Sequence, residues 1–276
     1  MKRGTGSMPV LFLCAVLLSS QLCAQEPRRI PVISIIIDDM GTHLDSGERV
    51  LRLHGPVACS FLPDAAHTGR LAEAAFASGK EIMLHLPMES ADRRRLDDGA
   101  LTLDMTRQQF SRTLRADLAS VPHVQGVNNH MGSLLTRHPG HMLWLMQELQ
   151  QQQSLFFVDS RTTAFTVARQ LAQENGIPNT ERNVFLDDQL DELSIKHEFE
   201  RLLNLAREKG SAVAIGHPHP QTLALLERQL PRLAREQGIR LIPVGELIRL
   251  QQKDEQTWQA SLSPSHRVVK NSKLSP

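Results

Sequence analysis

Val32-Ile33-Ser34-Ile35-Ile36-Ile37 is a β-branched, apolar run that breaks abruptly into Asp38-Asp39-Met40-Gly41. A run apolar on both alternating faces makes a strand buried on both sides, the kind found in parallel sheets. Such a strand has no room for two charges, so Asp38 and Asp39 belong where it leaves the sheet. In an α/β protein, carboxylates at a strand's carboxyl end stand where chemistry is done.

The rest of the chain repeats this pattern. Apolar runs fall at Val32 to Ile37, Val57 to Leu62, Glu81 to Leu84, Gln125 to Val127, Leu155 to Val158, Val184 to Leu186, Ala212 to Ile215 and Arg240 to Val244. Between them lie amphipathic stretches such as Leu71, Ala74, Ala75 and Leu143, Met146, Leu149, at helical spacing. Gly79, Gly176, Gly210 and Gly238 stand just before strands, as left-handed caps that close helices ahead of short loops. Eight strands alternating with helices predict a (β/α) barrel, closed or partly open, over residues 30–256 as one domain.

Residues 1–24 read as an export signal: Lys2 and Arg3, an apolar stretch from Val10 to Leu18, then Ser19 to Ala24. The stretch is short for a bilayer span. Cleavage after Ala24 gives a periplasmic protein, and retention gives one held by an uncleaved anchor. A polar linker, residues 25–29, follows. Residues 257–276, rich in Ser, Pro and Lys, read as a disordered tail. Ala91 to Thr106, with Arg93-Arg94-Arg95 and Asp97-Asp98, is too polar to bury and reads as a surface loop above the barrel mouth.

Composition excludes some functions. A net charge of +1 over 276 residues gives no drive towards nucleic acid. With Cys14 and Cys23 in the signal, Cys59 stands alone in the mature chain, so no internal disulfide is expected. Aromatic residues make up 4% and tyrosine is absent, which argues against an extended stacking platform. Trp144 and Trp258 lie in helix-like stretches and read as packing residues.

The ends of the strands carry the chemistry. In order they read Asp38-Asp39, Pro63-Asp64, His85 to Glu89, Asn128 to Ser133, Asp159-Ser160-Arg161, Asp187-Asp188 and Gly216-His217-Pro218-His219. The strand starts carry nothing comparable, and a barrel gathers its strand ends at one face. Some of these residues have simpler uses: Asp64, and Asp187 or Asp188, read as N-caps of following helices. Capping does not call for histidine, however. Carboxylate plus imidazole is the ligand set of a divalent metal such as zinc, with one position open for water. A nearby carboxylate off the metal takes the water's proton and a histidine protonates the leaving group.

The ordered motifs resemble the divergent polysaccharide deacetylases, exported relatives of metal-dependent carbohydrate esterases. The resemblance runs from about Ile30 to Leu250 and rests on Ile-Asp-Asp-Met-Gly at 37–41, His-Leu-Pro-Met-Glu at 85–89, Asn-Asn-His-Met-Gly-Ser at 128–133, Phe-Val-Asp-Ser at 157–160 and Gly-His-Pro-His at 216–219. It implies an α/β fold, a distorted (β/α) barrel of seven or eight strands. It also implies Asp38 as base and Asp39 as metal ligand. The family's second motif has two histidines, but here His85 is followed four residues later by Glu89. Either Glu89 replaces a nitrogen ligand, or His130 completes the set; the reading adopted is Asp39, His85 and His130 on a divalent ion such as Zn2+. Asn129, Ser133, Asp159 and Ser160 would support the site. The general acid falls on His217 or His219, with His217 nearer the strand end.

The resemblance therefore implies a periplasmic hydrolase that removes N-acetyl or O-acetyl groups from an envelope glycan or a small acetylated molecule. Two alternatives stand beside it: a barrel that binds a glycan or an envelope protein without turnover, and a metal hydrolase of another ester class.

Overall fold

Isoleucines on both faces of one strand need apolar cover on both sides, and the fold supplies it. A computed structural model describes residues 30–92, 95–152 and 155–262. Strands β1 (Val32–Met40), β2 (Ala58–Phe61), β3 (Ile82–Met88), β4 (Gly126–Met131), β5 (Phe156–Asp159), β6 (Asn179–Glu181), β7 (Val184–Phe185), β8 (Ser211–Gly216) and β9 (Arg240–Leu241) form one sheet. Its helices are α1 (Leu44–Leu51), α2 (Thr68–Ala77), α3 (Arg107–Ser120), α4 (Pro139–Gln151), α5 (Ala168–Glu174), α6 (Glu192–Lys209), α7 (Pro220–Gln229) and α8 (Val244–Leu262). Every strand pair is parallel, in the order β6-β5-β4-β3-β2-β1-β8-β7, with β9 beside the start of β1. The sheet curls into a distorted barrel, as the sequence predicts.

Alternation sorts the side chains into two cores. Ile33, Ile35 and Ile37 pack outward into a layer shared with the helices. Val32 and Ile36 join Ala58, Met83, Val158, Val213 and Ile215 inside the curl. Each such side chain contributes about 1.5–3 kcal/mol by leaving water. Val244, Leu247 and Ile248 of α8 belong to the same inner cluster. Glu81, at the foot of β3, fixes that helix by accepting the N–H groups of Val244 at 2.6 Å and Gly245 at 2.9 Å. Gly126 is required in β4 because a Cβ there would run into the Phe156 ring.

The barrel closes unusually. β6 and β7 lie at opposite edges of the sheet, yet only Arg182 and Asn183 separate them in the chain. The Arg182 N–H donates to Asp159 O at one edge, and the Asn183 N–H donates to Val213 O at the other, both at 2.9 Å. The Asn183 side chain adds a bond from Val213 N to its Oδ1 at 2.8 Å. A two-residue crossover thus spans the gap that a strand ladder would otherwise fill.

Several expectations need adjustment. All eight anticipated strands occur, and β6 is an additional one, too short and polar to show in the sequence. β1, β3 and β4 continue through Asp39, His85 and His130, so these residues belong to strands rather than to loops, His85 at the middle of β3 and the other two one residue from their strand ends. Gly79, Gly176, Gly210 and Gly238 all take positive φ, as left-handed caps require. Helix α8 runs to Leu262, so residues 257–262 are helical rather than disordered; Trp258 is 66% exposed and lies outside the core, whereas Trp144 packs on Phe110 and His141. Residues 1–29, with the expected export signal and linker, and 263–276, the rest of the tail, lie outside the described residues, as do Arg93 and Arg94. Cys59 is free and buried in β2, and burial pushes its thiol up to about 12.

Asp117 of α3 is a buried carboxylate whose Oδ2 finds no hydrogen-bond partner among the described residues. Burial, with the charge of Asp64 behind it, pushes its carboxyl up to about 7. Because the folded value lies above the unfolded one, the contribution of this group to stability is fullest below about pH 4 and is lost as the pH rises through about 7. Asp117→Asn should flatten that fall and raise the melting temperature at pH 8 by on the order of 2–4 °C, the shift that 1 kcal/mol gives at this size; calorimetric scans at pH 4 and pH 8 measure it.

Candidate functional site

Adjacent residues of a strand point to opposite faces, so Asp38 and Asp39 can meet one pocket only if the backbone breaks step. It does. The pairing of β1 with β2 shifts register between Ile37 and Met40, and Asp39 takes φ +54°. Met131 and Arg161, on neighbouring strand ends, are likewise left-handed at +51° and +49°. Non-glycine residues in this region carry strain, and here they border a cavity of about 510 Å3. Asp38, Asp39, His85, Asn129, His130, Ser133, Ser160 and His217 all line it.

Within it, Asp39 Oδ1 lies 3.3 Å from His85 Nε2 and 3.2 Å from His130 Nδ1, and the two nitrogens are 3.0 Å apart. Three ligands of a tetrahedral zinc ion, at bond lengths of about 2.0–2.1 Å, stand about 3.3 Å from each other. The remaining hydrogen bonds determine which atoms carry protons. Asn128 Nδ2 donates to Asp38 Oδ1 at 2.9 Å, so its Oδ1 faces His85 Nδ1 at 3.0 Å and also accepts from Ser60 Oγ at 2.6 Å. His85 therefore keeps a proton on Nδ1 and turns the Nε2 lone pair into the cavity. His130 Nε2 lies 3.0 Å from Asp97 Oδ2, which places that proton outward and the Nδ1 lone pair inward. Among the described residues, Asp39 Oδ1 is buried without a hydrogen-bond donor. Two imidazole lone pairs and an orphaned carboxylate oxygen converging on one point are a donor set for a divalent cation.

Burial pushes the His85 imidazole towards neutrality, but the Asp38 and Asp39 carboxylates outweigh it and raise its proton affinity. A cation bound here would displace that proton. Burial also raises the Asp39 carboxyl, but the neighbouring His130 and His85 imidazoles outweigh it and hold it well below the usual range. Asp38 is shifted the other way, chiefly by burial, with the His85 and His217 charges only partly offsetting it. Two neighbouring aspartates are thus driven apart in acidity, as an acid–base division of labour requires.

Across the cavity, His217 Nε2 lies 3.8 Å from Asp39 Oδ2. Its Nδ1 is 3.0 Å from Asp187 Oδ1, while Asp187 Oδ2 accepts from His217 N and Thr222 Oγ1, each at 2.7 Å. Burial pulls the imidazole down, but the Asp187 hydrogen bond prevails and lifts it to about 9. Asp187, His217 and His219 also present nitrogen and oxygen atoms within 4.8 Å of one another. Asp187, however, is already engaged by three donors, so that group has no orphaned oxygen.

Other expected residues take different places. Glu89 does not face the cavity: its Oε2 accepts Leu103 N at 2.8 Å, and its carbonyl accepts Leu134 N and Leu135 N, so it pins the 91–106 loop. Asp159 also turns away, bonding Arg161 N and Thr166 Oγ1 at 2.8 Å, and is buried as a brace for the loop after β5. Asn129 accepts Ser160 N at 2.9 Å and Ser133 accepts Ala91 N at 3.0 Å, so both shape the wall. His219 precedes α7 outside the cavity lining, which separates it from His217. Neither Asp64 nor Asp187 caps a helix: His67 precedes α2, and Asp191 caps α6.

Sequence reasoning passed over Asn128, Asp187, Asp97 and Arg182. Strand alternation could have found Asn128, which shares its face with His130. Asp187 stands five residues before α6, too far to cap it, and its place beneath His217 shows only in the fold. Asp97 and Arg182 give no local signal.

The family described as divergent polysaccharide deacetylase matches residues 35–248. The uncharacterized Escherichia coli protein YibQ is 35% identical over 236 residues, 86% of this chain and 73% of that protein. An uncharacterized Haemophilus influenzae protein is 35% identical over 217 residues, 79% of this chain and 76% of that one. The crystal structure of an uncharacterized Agrobacterium tumefaciens protein, 21% identical, shares the fold with a TM-score of 0.75 over 80% of this chain and 91% of that chain. The chain thus belongs to the divergent polysaccharide deacetylase family.

Proposed function

We propose that the protein is an exported metal-dependent hydrolase that removes acetyl groups, N-linked in the first instance, from a cell-envelope glycan. The observation that carries this reading is the convergence of Asp39 Oδ1, His85 Nε2 and His130 Nδ1, with Oδ1 left without a donor, between Asp38 and His217. Membership of the deacetylase family supports the substrate class. Export rests on the sequence of residues 1–24 alone.

Asp39, His85 and His130 would hold a divalent cation such as Zn2+, which would supply a Lewis acid for the water and the acyl oxygen. Asp38 is the base. One of its oxygens is held by Asn128 Nδ2 and the other lies 3.5 Å from His85 Nε2, so the carboxylate is fixed beside the ligand triangle without belonging to it. Its raised proton affinity suits it to accept a proton from water. His217 enters from the other side with its Nδ1 proton committed to Asp187, leaving Nε2 to deliver a proton to the departing amine or alcohol. Asp187 keeps that ring oriented and favours the protonated form. Asn129, Ser133 and Ser160 bound the space in which the sugar would sit.

Two outcomes test this reading. Protein purified without chelator should contain about one divalent ion per chain, and the His85→Ala/His130→Ala double variant should contain none; elemental analysis of both decides, and an empty wild type that stays empty after reconstitution refutes the ligand set. Asp38→Asn and His217→Gln should retain the ion yet lose about 10²–10⁴-fold in kcat on acetylated oligosaccharides, the usual worth of one acid–base group. Loss of the ion in Asp38→Asn would place that residue among the ligands instead.

A further inference from the structure

Of the two arginines among the described residues that line the cavity, Arg161 is ion-paired and Arg182 is not. Arg161 pairs with Glu181 at 2.7 Å, and Arg169 pairs with the same carboxylate at 2.9 Å. Arg182 forms no ion pair among the described residues. Its Nε donates to Ser160 O at 2.6 Å, its Nη2 donates to Arg161 O at 2.9 Å, and its guanidinium carbon stands 4.9 Å from the centre of the Phe185 ring. Neutral carbonyls and a ring face fix its position without cancelling its charge. Of the five N–H donors on a guanidinium, only two are committed, and Nη1 has no acceptor among the described residues.

Its location is equally specific. Arg182 lines the cavity that holds Asp38, Asp39 and the three histidines, and it also lines a second cavity of about 680 Å3 beside it. Phe185 and Asp188 are the other residues common to both, so the two spaces adjoin across this side chain. The second cavity runs over Leu186, Leu193, His197 and the Glu198–Arg201 pair, and Leu193 is 80% exposed. The guanidinium is rigid for a backbone reason as well: residue 182 is half of the crossover bonded to both edges of the sheet. A planar cation, preorganised and partly desolvated, with donors to spare, matches the geometry of a carboxylate.

We infer that Arg182 is a specificity-determining residue that binds a carboxylate of the substrate, so that the glycan taken is an acidic one. This deepens, and rests on, the glycan deacetylase reading above. The acetylated unit occupies the cavity of Asp39, His85 and His130. A carboxylate on that unit or its neighbour, whether a uronate or a lactyl ether, meets the free edge of Arg182, and the chain continues over Phe185 into the adjoining space. Asp188 at the same junction repels a carboxylate that is not seated on the guanidinium, which sharpens the choice.

The test is calorimetric binding to the metal-loaded full chain with three N-acetylated tetrasaccharides: chitotetraose, which is neutral, a hyaluronan tetrasaccharide carrying uronates, and a tetrasaccharide carrying lactyl carboxylates. At least one acidic ligand should bind about tenfold more tightly than chitotetraose, as expected for a charge-assisted hydrogen bond, and the advantage should shrink with added salt. The arm that shows it identifies the carboxylate's source. Arg182→Gln should bring the ratio close to one. Arg182→Lys, which keeps the charge but not the fork, should preserve part of it, and its melting temperature guards against misfolding as the explanation. Equal binding of all three ligands by the wild type, or an undiminished ratio in Arg182→Gln, overturns the inference while leaving the deacetylase reading intact. Binding of none of them by a chain that carries its metal overturns both.

Discussion

The hydrogen bonds of the Asn128 carboxamide determine the protonation pattern of the whole pocket. A carboxylate can only accept, so the amide nitrogen must face Asp38 and the amide oxygen must face His85 and Ser60. That orientation selects the His85 tautomer, and the tautomer decides that a lone pair rather than a proton is turned towards Asp39 and His130. An amide has this two-sided character and a carboxylate or an amine does not. One neutral side chain thereby couples Asp38 to His85 without adding charge to a buried layer already crowded with it.

That layer sits on an apolar one. Below Asp38, Asn128 and His217 lie Ile36, Ala58, Met83 and Ile215, all nearly inaccessible to water. Dry packing beneath lowers the local dielectric and strengthens each polar contact above, at the cost of making any unmatched one expensive. The register break at Asp39, the positive φ at Met131 and Arg161, and the orphaned Asp39 oxygen all fall at this boundary. Strain and missing partners are tolerated where a regular sheet would leave the two aspartates on opposite faces.

Much of this was legible in the residues. The β-branched run before Asp38 fixes a doubly buried strand, and glycines before strands mark the helix ends. Histidines after several strands point to one convergent face, and His85, His130 and His217 meet there, while His219 stays outside. What escaped has physical reasons. Asn-Thr-Glu at β6 carries no apolar signal because an edge strand needs cover on fewer sides. Asp187 reads locally as a cap, and only the fold shows it beneath His217. Glu89 was attractive by spacing, but it stands just past the end of β3 and its carboxylate is taken by the Leu103 N–H of the loop. Asp97 reaches His130 because Leu101 bridges to Met88 and draws the loop over the mouth, a contact that spacing alone does not encode.

The central position of β1 has a kinetic consequence. Val32 pairs with both Ser211 and Arg240, and Ile37 pairs with Gly216, so the first strand of the barrel is completed by partners synthesised last. Loop-closure entropy must be met before those contacts return anything, which makes the topology slow to form. Until β8 arrives, His217 has no place, Asp38 lacks one of its neighbours and one side of β1 is bare. The polar layer therefore cannot assemble piecemeal during synthesis; it forms as a unit, when nearly the whole described chain is available.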